Sequence, residues 1–405
     1  MRGPAGHSNV SDPAQAARRD DRIRVLLLMT SSAGGVGVWA YLLTKGLSKS
    51  EFDVTVAFGR GYPMDSEFGG LGVTVVPLSL SRSLAPWTNL KGFAQIYRLL
   101  RDGDFDIVCT ACSIAGVLGR AAGWIAGVPC RIWTAHAYAS HPHQSWLKRG
   151  IYRLVERGMD RLTTHYVAVS ESMREFGIRN RIMRPEKVSV IHNGIVIAGP
   201  PAASPWEVRA ELGLRSDTLV VGTLGRLEPQ KGLDVLLRAA SSVRRRVRDV
   251  EFVVAGDGPL RERLEALSRE LGLQDFVRFV GWQRDAARVL SILDVYCLSS
   301  LWEAFGLAAA EAMALEKPVV ATRVDGVAEV VQDGETGVLV PPGDPEALAE
   351  GLVTLLTDAG LRRRMGVAGR RRVETRFTVP EMVRRYEGLF RELAAATRRV
   401  ARGRA

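Results

Sequence analysis

The chain has 405 residues, 46% hydrophobic and 24% charged. That composition excludes a disordered or fibrous protein, and the length exceeds what one core usually fills, so two domains are expected. Lysine and arginine outnumber aspartate and glutamate by 55 to 44, a net charge of +11; the excess favours anionic partners such as nucleotide phosphates, acidic lipid surfaces or nucleic acid, or else an arginine-rich solvated surface. Four cysteines in so long a chain exclude a disulfide framework and point to a reducing compartment.

In chain order, residues 1–20 mix Gly, Pro, Ser, Ala and charges without periodicity, which predicts a disordered tail. The apolar run 23–29 is too short for a secretory core and leads into a glycine loop, so no signal peptide is expected. No run reaches the roughly 18 apolar residues of a membrane span. Strand-length apolar runs at 23–29, 53–58, 73–77, 106–110, 131–134 and 166–169 alternate with helical segments such as 38–47 and 90–100. Nearly continuous apolarity suits strands buried on both faces, and the alternation predicts a doubly wound parallel sheet. Cys109 and Cys112 have the spacing of a redox or metal pair, but no second pair follows and Cys109 falls on a predicted strand, so a structural role is expected.

Between Trp146 and Leu162, Arg149, Arg153 and Arg157 recur every four residues, with Lys148 and Arg161 nearby. Leu147, Ile151 and Leu154 line a neighbouring stripe. Two readings stay open: a basic amphipathic helix on an anionic bilayer, or a helix packed on the first domain by its apolar stripe with the arginines in water. The Pro-rich stretch 198–206 predicts a linker. A second alternation follows, with strands at 219–223, 251–255, 277–280, 294–298, 318–322 and 337–340. The expected organisation is a first domain at 21–197, a second at 207–375, a helix at 376–397 returning to the first domain, and a basic tail at 398–405. Arginine runs at 244–246, 362–364 and 370–372 are expected to be solvated helix faces.

Open α/β sheets bind ligands beyond the carboxyl ends of their strands. Beyond the first strand come Gly34 and Gly35, which let backbone amides approach an anion at a helix start or simply make a tight turn. Beyond strand 219–223, Arg226 and Lys231 stand where a strand gives way to a helix, a pairing that suits a pyrophosphate. Ala255-Gly256-Asp257-Gly258 reads mainly as a structural turn. After strand 294–298, Glu303 precedes a helix that begins near Phe305, with Gly306 and Leu307 presenting amides at its N-terminus and Glu311 inside it. Eight residues of helical rise separate the two glutamates by roughly 12 Å. That is too far for the paired carboxylates of a glycosidase, about 5–9.5 Å apart, and suits the two ends of an elongated ligand; ordinary helix capping is the alternative.

The two glutamates around Phe305-Gly306-Leu307 resemble the defining motif of the retaining glycosyltransferases of family 4 (group 1). So does the order of the Gly-Gly loop, Thr134-Ala135-His136, His192-Asn193-Gly194, Gly225-Arg226-Leu227 with Lys231-Gly232, and the Gly-Asp-Gly turn. The likeness spans about residues 23–395. It implies the GT-B fold, two facing Rossmann-like doubly wound domains with an interdomain cleft, the first serving the acceptor and the second a nucleoside diphosphate sugar donor. It further implies that Arg226 and Lys231 bind the pyrophosphate, Glu311 the ribose, and Glu303 the transferred sugar. The amides of Phe305, Gly306 and Leu307 would meet phosphate and sugar, Gly34 and Gly35 would close over the phosphates, His136 would stand beside the sugar, and Trp282 would seat the base.

The implied partners are a nucleotide sugar and a carbohydrate or lipid-linked acceptor, with an anionic membrane surface as a further candidate and no nucleic acid. No cofactor and no metal are expected: the acidic run at 102–106 precedes its strand, away from the cleft, and His136, His141 and His143 lack a matching cysteine or acidic ligand. The expected setting is cytoplasmic, at or near the inner face of a membrane, in cell-envelope or extracellular polysaccharide or glycolipid synthesis. The rival readings are a nucleotide-sugar epimerase of the same fold and a non-catalytic nucleotide-sugar-binding subunit.

Overall fold

The computed structural model describes residues 21–402 apart from 33, 60–64, 82–85, 141–144, 198 and 200–202. The tail read at 1–20 and part of the linker therefore lie outside the described residues. Two all-parallel sheets organise the chain. The first has the order β3-β2-β1-β4-β5-β6-β7 and is built from β1 (Ile23–Ser31), β2 (Phe52–Gly59), β3 (Thr74–Leu78), β4 (Ile107–Ala111), β5 (Cys130–Ala135), β6 (His165–Ala168) and β7 (Val188–Val190). The second has the order β10-β9-β8-β11-β12-β13 and is built from β8 (Leu219–Leu224), β9 (Val250–Ala255), β10 (Val277–Gly281), β11 (Val295–Leu298), β12 (Val319–Thr322) and β13 (Gly337–Val340). The first domain's helices are α1 (Gly34–Gly46), α2 (Asp65–Gly69), α3 (Pro86–Asp102), α4 (Ser113–Ile125), α5 (Trp146–Met159) and α6 (Glu171–Arg179). They are followed by α7 (Pro205–Glu211), α8 (Leu233–Arg246), α9 (Arg261–Glu270), α10 (Ala286–Ser291), α11 (Leu307–Ala314), α12 (Val327–Val330), α13 (Pro345–Thr357), α14 (Ala359–Arg376) and α15 (Val379–Arg402).

The continuous apolarity of β1 has a direct cause. Successive side chains point to opposite faces of a strand. Leu26 and Leu28 join a core under α3 and α4 with Ile96, Leu100, Ala115 and Ala122. Val25, Leu27 and Met29 join another under α1 and α15, with Trp39, Leu43, Tyr386 and Phe390. Both faces are covered along Val25–Met29, so this central stretch of the strand is apolar without interruption.

Several elements differ from the sequence expectation. β7 was not foreseen, because Val188-Ser189-Val190 is short, half-buried and interrupted by serine. The stretch 198–206 is not all linker: α7 starts at Pro205, because Ser204 and Glu207 form a reciprocal capping box with proline at the first helical position. The helix expected at 376–397 runs instead from Val379 to Arg402, so residues 398–402, read as tail, are helical. Its buried residues belong to the first domain's core, Glu387 accepts the Ser48 amide at 2.9 Å, and Arg391 pairs with Glu51 at 2.7 Å. The arginine runs are more than solvated faces. Arg362 donates to the carbonyls of Leu355 and Leu356 at the end of α13, and Arg372 donates to those of Glu329 and Val330, each satisfying carbonyls a helix leaves open.

The chain crosses between domains twice, and the crossings are tied together. The Ile195 amide donates to the Phe377 carbonyl at 2.6 Å, and Ile195 forms a parallel bridge with Thr378. Nearby, Glu329 of the second domain accepts the amides of Glu171 and Ser172 at the start of α6, at 2.9 and 2.8 Å, and meets His192 Nε2 at 3.0 Å. Those amides are unpaired donors of a helix N-terminus, where a carboxylate is favoured. Accordingly, the Glu329 carboxyl lies below its ordinary value, the bonds from His192, Ser172 and Glu171 outweighing the cost of burial.

Candidate functional site

The carboxyl ends of β1, β8, β9 and β11 converge on the cleft. A cavity of about 450 Å³ opens there, within the usual range for small-molecule sites, about 300–1,000 Å³. Its wall brings together Gly34 and Gly35 from the first domain with Arg226, Lys231, Trp282, Glu303, Leu307 and Glu311 from the second. Larger hollows exist: one, of about 830 Å³, lies along α14 and is walled by residues between Gln332 and Arg376, several of them arginines. It is lined by arginines of the runs 362–364 and 370–372 but by none of the residues read as binding the donor or facing the sugar.

Lys231 and Glu303 form the most intimate contact in the cavity. The Lys231 ammonium donates to Glu303 Oε2 at 2.5 Å, and the Ser300 hydroxyl donates to the same oxygen at 3.3 Å. The Glu303 amide donates to Asp325. Arg226 is half exposed and pairs with Glu228 at 2.6 Å. Both cations are therefore held by carboxylates at the cavity wall, one of them at the position read as facing the sugar.

α11 begins at Leu307, with Gly306 as its cap at φ 94, a left-handed conformation that costs glycine nothing and a side-chain-bearing residue about 1 kcal/mol or more. The amides of Leu307 and Ala308 lie in the first turn, where no intrahelical acceptor exists, and both residues line the cavity. The helix starts four residues after Glu303, so the separation of the glutamates is not purely a helical rise, as the sequence reading took it to be. Glu311, one turn in, is pushed up to about 7 by burial alone. Trp282 stands on the rim, 62% exposed.

Three foreseen residues sit elsewhere. The Phe305 side chain is buried beneath the site, edge-on to Phe377 at 5.4 Å, and neither it nor Gly306 lines the cavity. His136 lies in an adjoining cavity of about 330 Å³ that shares Gln230 and Glu303 with the first. Its ring meets Trp39 at 4.7 Å, and its Nε2 has no hydrogen-bond partner among the described residues. Burial drives its pKa down to about 3, so the imidazole is neutral across the physiological range.

The sequence reading missed Gln230, whose side chain donates to the Trp302 carbonyl and which stands at the junction of the cavities. It also missed Trp302 and Asp325, and treated Gly256 and Asp257 as structural although both line the wall. The Gly256 assignment is also right in its own terms: at φ 138, an added Cβ would lie 1.9 Å from the Gly225 carbonyl oxygen. Cys109, at the unmatched cysteine pair, is buried and raised to about 12, and so stays protonated.

Two facing doubly wound domains with cations, amides and carboxylates at their strand ends define a GT-B glycosyltransferase. Comparison with known proteins agrees. Residues 204–372 match the family described as "Glycosyl transferases group 1", and residues 33–198 match "Glycosyltransferase Family 4". An Escherichia coli UDP-Gal:alpha-D-GlcNAc-diphosphoundecaprenol alpha-1,3-galactosyltransferase is 28% identical over 350 residues, 85% of this chain and 90% of that protein. The Staphylococcus aureus capsular polysaccharide glycosyltransferase CapM is 26% identical over 82% of this chain and 88% of its own length. Among solved structures, Anabaena HepE in complex with UDP and glucose has the same fold, with a TM-score of 0.80 at 23% identity, covering 92% of this chain and 100% of that one. The chain belongs to the family 4, group 1 glycosyltransferases.

Proposed function

We propose that this enzyme moves a sugar from a uridine diphosphate sugar to a carbohydrate or lipid-linked acceptor, with retention of anomeric configuration and without a metal ion, in cell-envelope polysaccharide or glycolipid synthesis. The observation that carries this reading is that one cavity is lined by Arg226, Lys231, Glu303, Glu311 and the first residues of α11. A departing nucleoside diphosphate gains negative charge as the glycosidic bond breaks. Preorganised cations and amides lower that barrier without reorganising during the reaction. Glu311 then receives the ribose, Trp282 flanks the base and Glu303 faces the sugar. The uridine assignment draws on the relatives: the Escherichia coli enzyme is named for UDP-Gal, and HepE was crystallised with UDP.

Glu303 is already engaged by Lys231 and Ser300, which makes it a poor nucleophile and favours substitution on one face of the sugar, the leaving phosphate accepting the acceptor's proton. The neutral imidazole of His136, with a free Nε2 position, offers a hydrogen bond to the sugar or acceptor without adding charge. The four cysteines are unpaired, which fits a cytoplasmic setting. A thermal-shift panel of UDP, GDP and ADP tests the donor: ligand at 100 times its dissociation constant stabilises by about 2.7 kcal/mol, and UDP is expected to give the largest shift. Transfer that persists in EDTA and an axial or equatorial anomeric proton matching the donor's complete the test; restoration of lost activity by magnesium alone would refute metal independence.

A further inference from the structure

The helix α5 is packed opposite to ordinary amphipathic practice. Its polar side faces inward: Glu156 pairs with Arg120 of α4 at 2.9 Å, and both side chains are buried. Arg120 also donates to the Gly116 carbonyl at 2.7 Å and to the Thr163 hydroxyl at 3.0 Å, and lies 4.7 Å from the Trp133 ring centre. This fully satisfied buried pair holds α5 to the body of the domain. Its apolar stripe points outward, with Trp146 81% and Leu154 73% exposed and Leu147 and Ile151 more than half exposed. Of the two readings open from sequence, packing by the apolar stripe is therefore excluded.

The exposure is not confined to one helix. α3, α4 and α5 pack side by side. Of the thirteen large hydrophobic residues exposed among the described residues, nine lie on these three helices, including Trp87 and Leu90 of α3 and Trp124 and Ile125 of α4. Five of the thirteen lie on α5 alone, and such a concentration on one helix marks an interaction surface rather than ordinary scatter. The charge around it has one sign on α5: its single acidic residue, Glu156, is buried, whereas Lys148 and Arg157 are exposed and Arg149 and Arg153 half-buried.

We propose that the outer face of α5 docks on an anionic phospholipid bilayer. An apolar stripe flanked by cations with an aromatic residue at its end is what lies in the interfacial layer of such a membrane. A second copy is a poor occupant, because a two-fold contact would set the same cations against each other. Residues 1–20 are a poor occupant too, carrying only Met1 and Val10 as large apolar side chains. The consequence for catalysis is positional. α5 follows β5, whose carboxyl end leads to His136, so docking there would put the bilayer against the domain that carries His136. The proposal is independent of which donor the enzyme uses.

The test is liposome flotation of the full chain with phosphatidylglycerol-containing and pure phosphatidylcholine vesicles. Binding is expected to the anionic vesicles at low salt and to weaken at high salt. Joint substitution Leu147→Ser, Ile151→Ser and Leu154→Ser should abolish it. Joint reversal Lys148→Glu, Arg157→Glu and Arg161→Glu should weaken partition by at least roughly tenfold. The cooperative thermal melt and the far-UV circular dichroism of wild type should be retained in both variants, reporting intact folding whatever the donor. Absence of binding to anionic vesicles, or binding undiminished in the serine variant, overturns the proposal. A concentration-dependent dimer in sedimentation that the serine variant loses overturns it in favour of self-association.

Discussion

If Glu311 holds the donor ribose as proposed, it should couple donor binding to pH. Burial alone raises its carboxyl to about 7, with no neighbouring charge to offset it. Two ribose hydroxyls donating to it need an ionised acceptor. At about pH 5.5 the group is 1.5 units below its midpoint and only a few per cent ionised, so donor affinity should be roughly 30-fold weaker than at about pH 8, about 2 kcal/mol. Calorimetry should use an intact UDP-sugar, whose phosphates carry no proton that titrates near neutrality. Glu311→Gln should bind weakly and with a flat pH profile. Stability moves the other way: the native pKa is raised, so the native state holds the proton more tightly than the unfolded chain. The stabilisation is complete below about pH 4.5 and is lost as pH rises through about 7, up to roughly 3 kcal/mol. At pH 8 the empty Gln variant should therefore melt above wild type while binding donor less well. A wild-type affinity that does not change between pH 5.5 and 8, or a slope that survives in Glu311→Gln, refutes the assignment.

Arg226→Ala and Lys231→Ala should each weaken UDP binding by roughly ten- to a hundredfold, the value of a hydrogen bond to a charged group; wild-type affinity by calorimetry in either variant would remove that residue from the phosphate site. Glu303→Gln should keep or tighten UDP binding, since Lys231 is released from its carboxylate, yet lose most transfer; loss of nucleotide affinity alone would show that Glu303 does not face the sugar. Glu329→Gln should loosen the domain contact, read as faster hydrogen exchange at the amides of Glu171 and Ser172; unchanged protection would mean that the neighbouring backbone contacts suffice.

Much of the fold was legible because parallel strands buried on both faces leave an unbroken apolar run. β7 escaped because it is a three-residue edge strand with serine at its centre. The cations and glutamates of the cavity were legible because each follows a strand's carboxyl end, where α/β sheets bind ligands. Gln230 and Asp325 were not, since nothing in their local sequence distinguishes them from loop residues. Glu329 was illegible for a different reason: its partners Ser172 and His192 are 157 and 137 positions away, and no local pattern reports a contact formed by domain packing. The orientation of α5 depended on Arg120, a buried cation on another helix. Sequence periodicity marked the apolar stripe but not which side of the helix the Arg120–Glu156 pair would claim.

The two domains contribute unequally to the cavity, and the inequality explains the glycine loop. Every charged group lining it belongs to the second domain; the first supplies Gly34, Gly35 and Val38. At Gly35 an added Cβ would lie 2.7 Å from Leu307 Cδ1, so the loop and the start of α11 meet almost surface to surface. On the proposed reading, a side chain there would hinder the loop from screening the donor phosphates from water, and such screening would strengthen their interactions with Arg226 and Lys231. Further contacts between the domains include the Ser170 hydroxyl donating to the Ala304 carbonyl at 2.8 Å and Glu329 capping α6. Ala304 directly follows Glu303, so a contact that ties the two domains together also anchors the segment that carries Glu303. On the proposed reading, the relative placement of the domains would thereby set the placement of the carboxylate that faces the sugar.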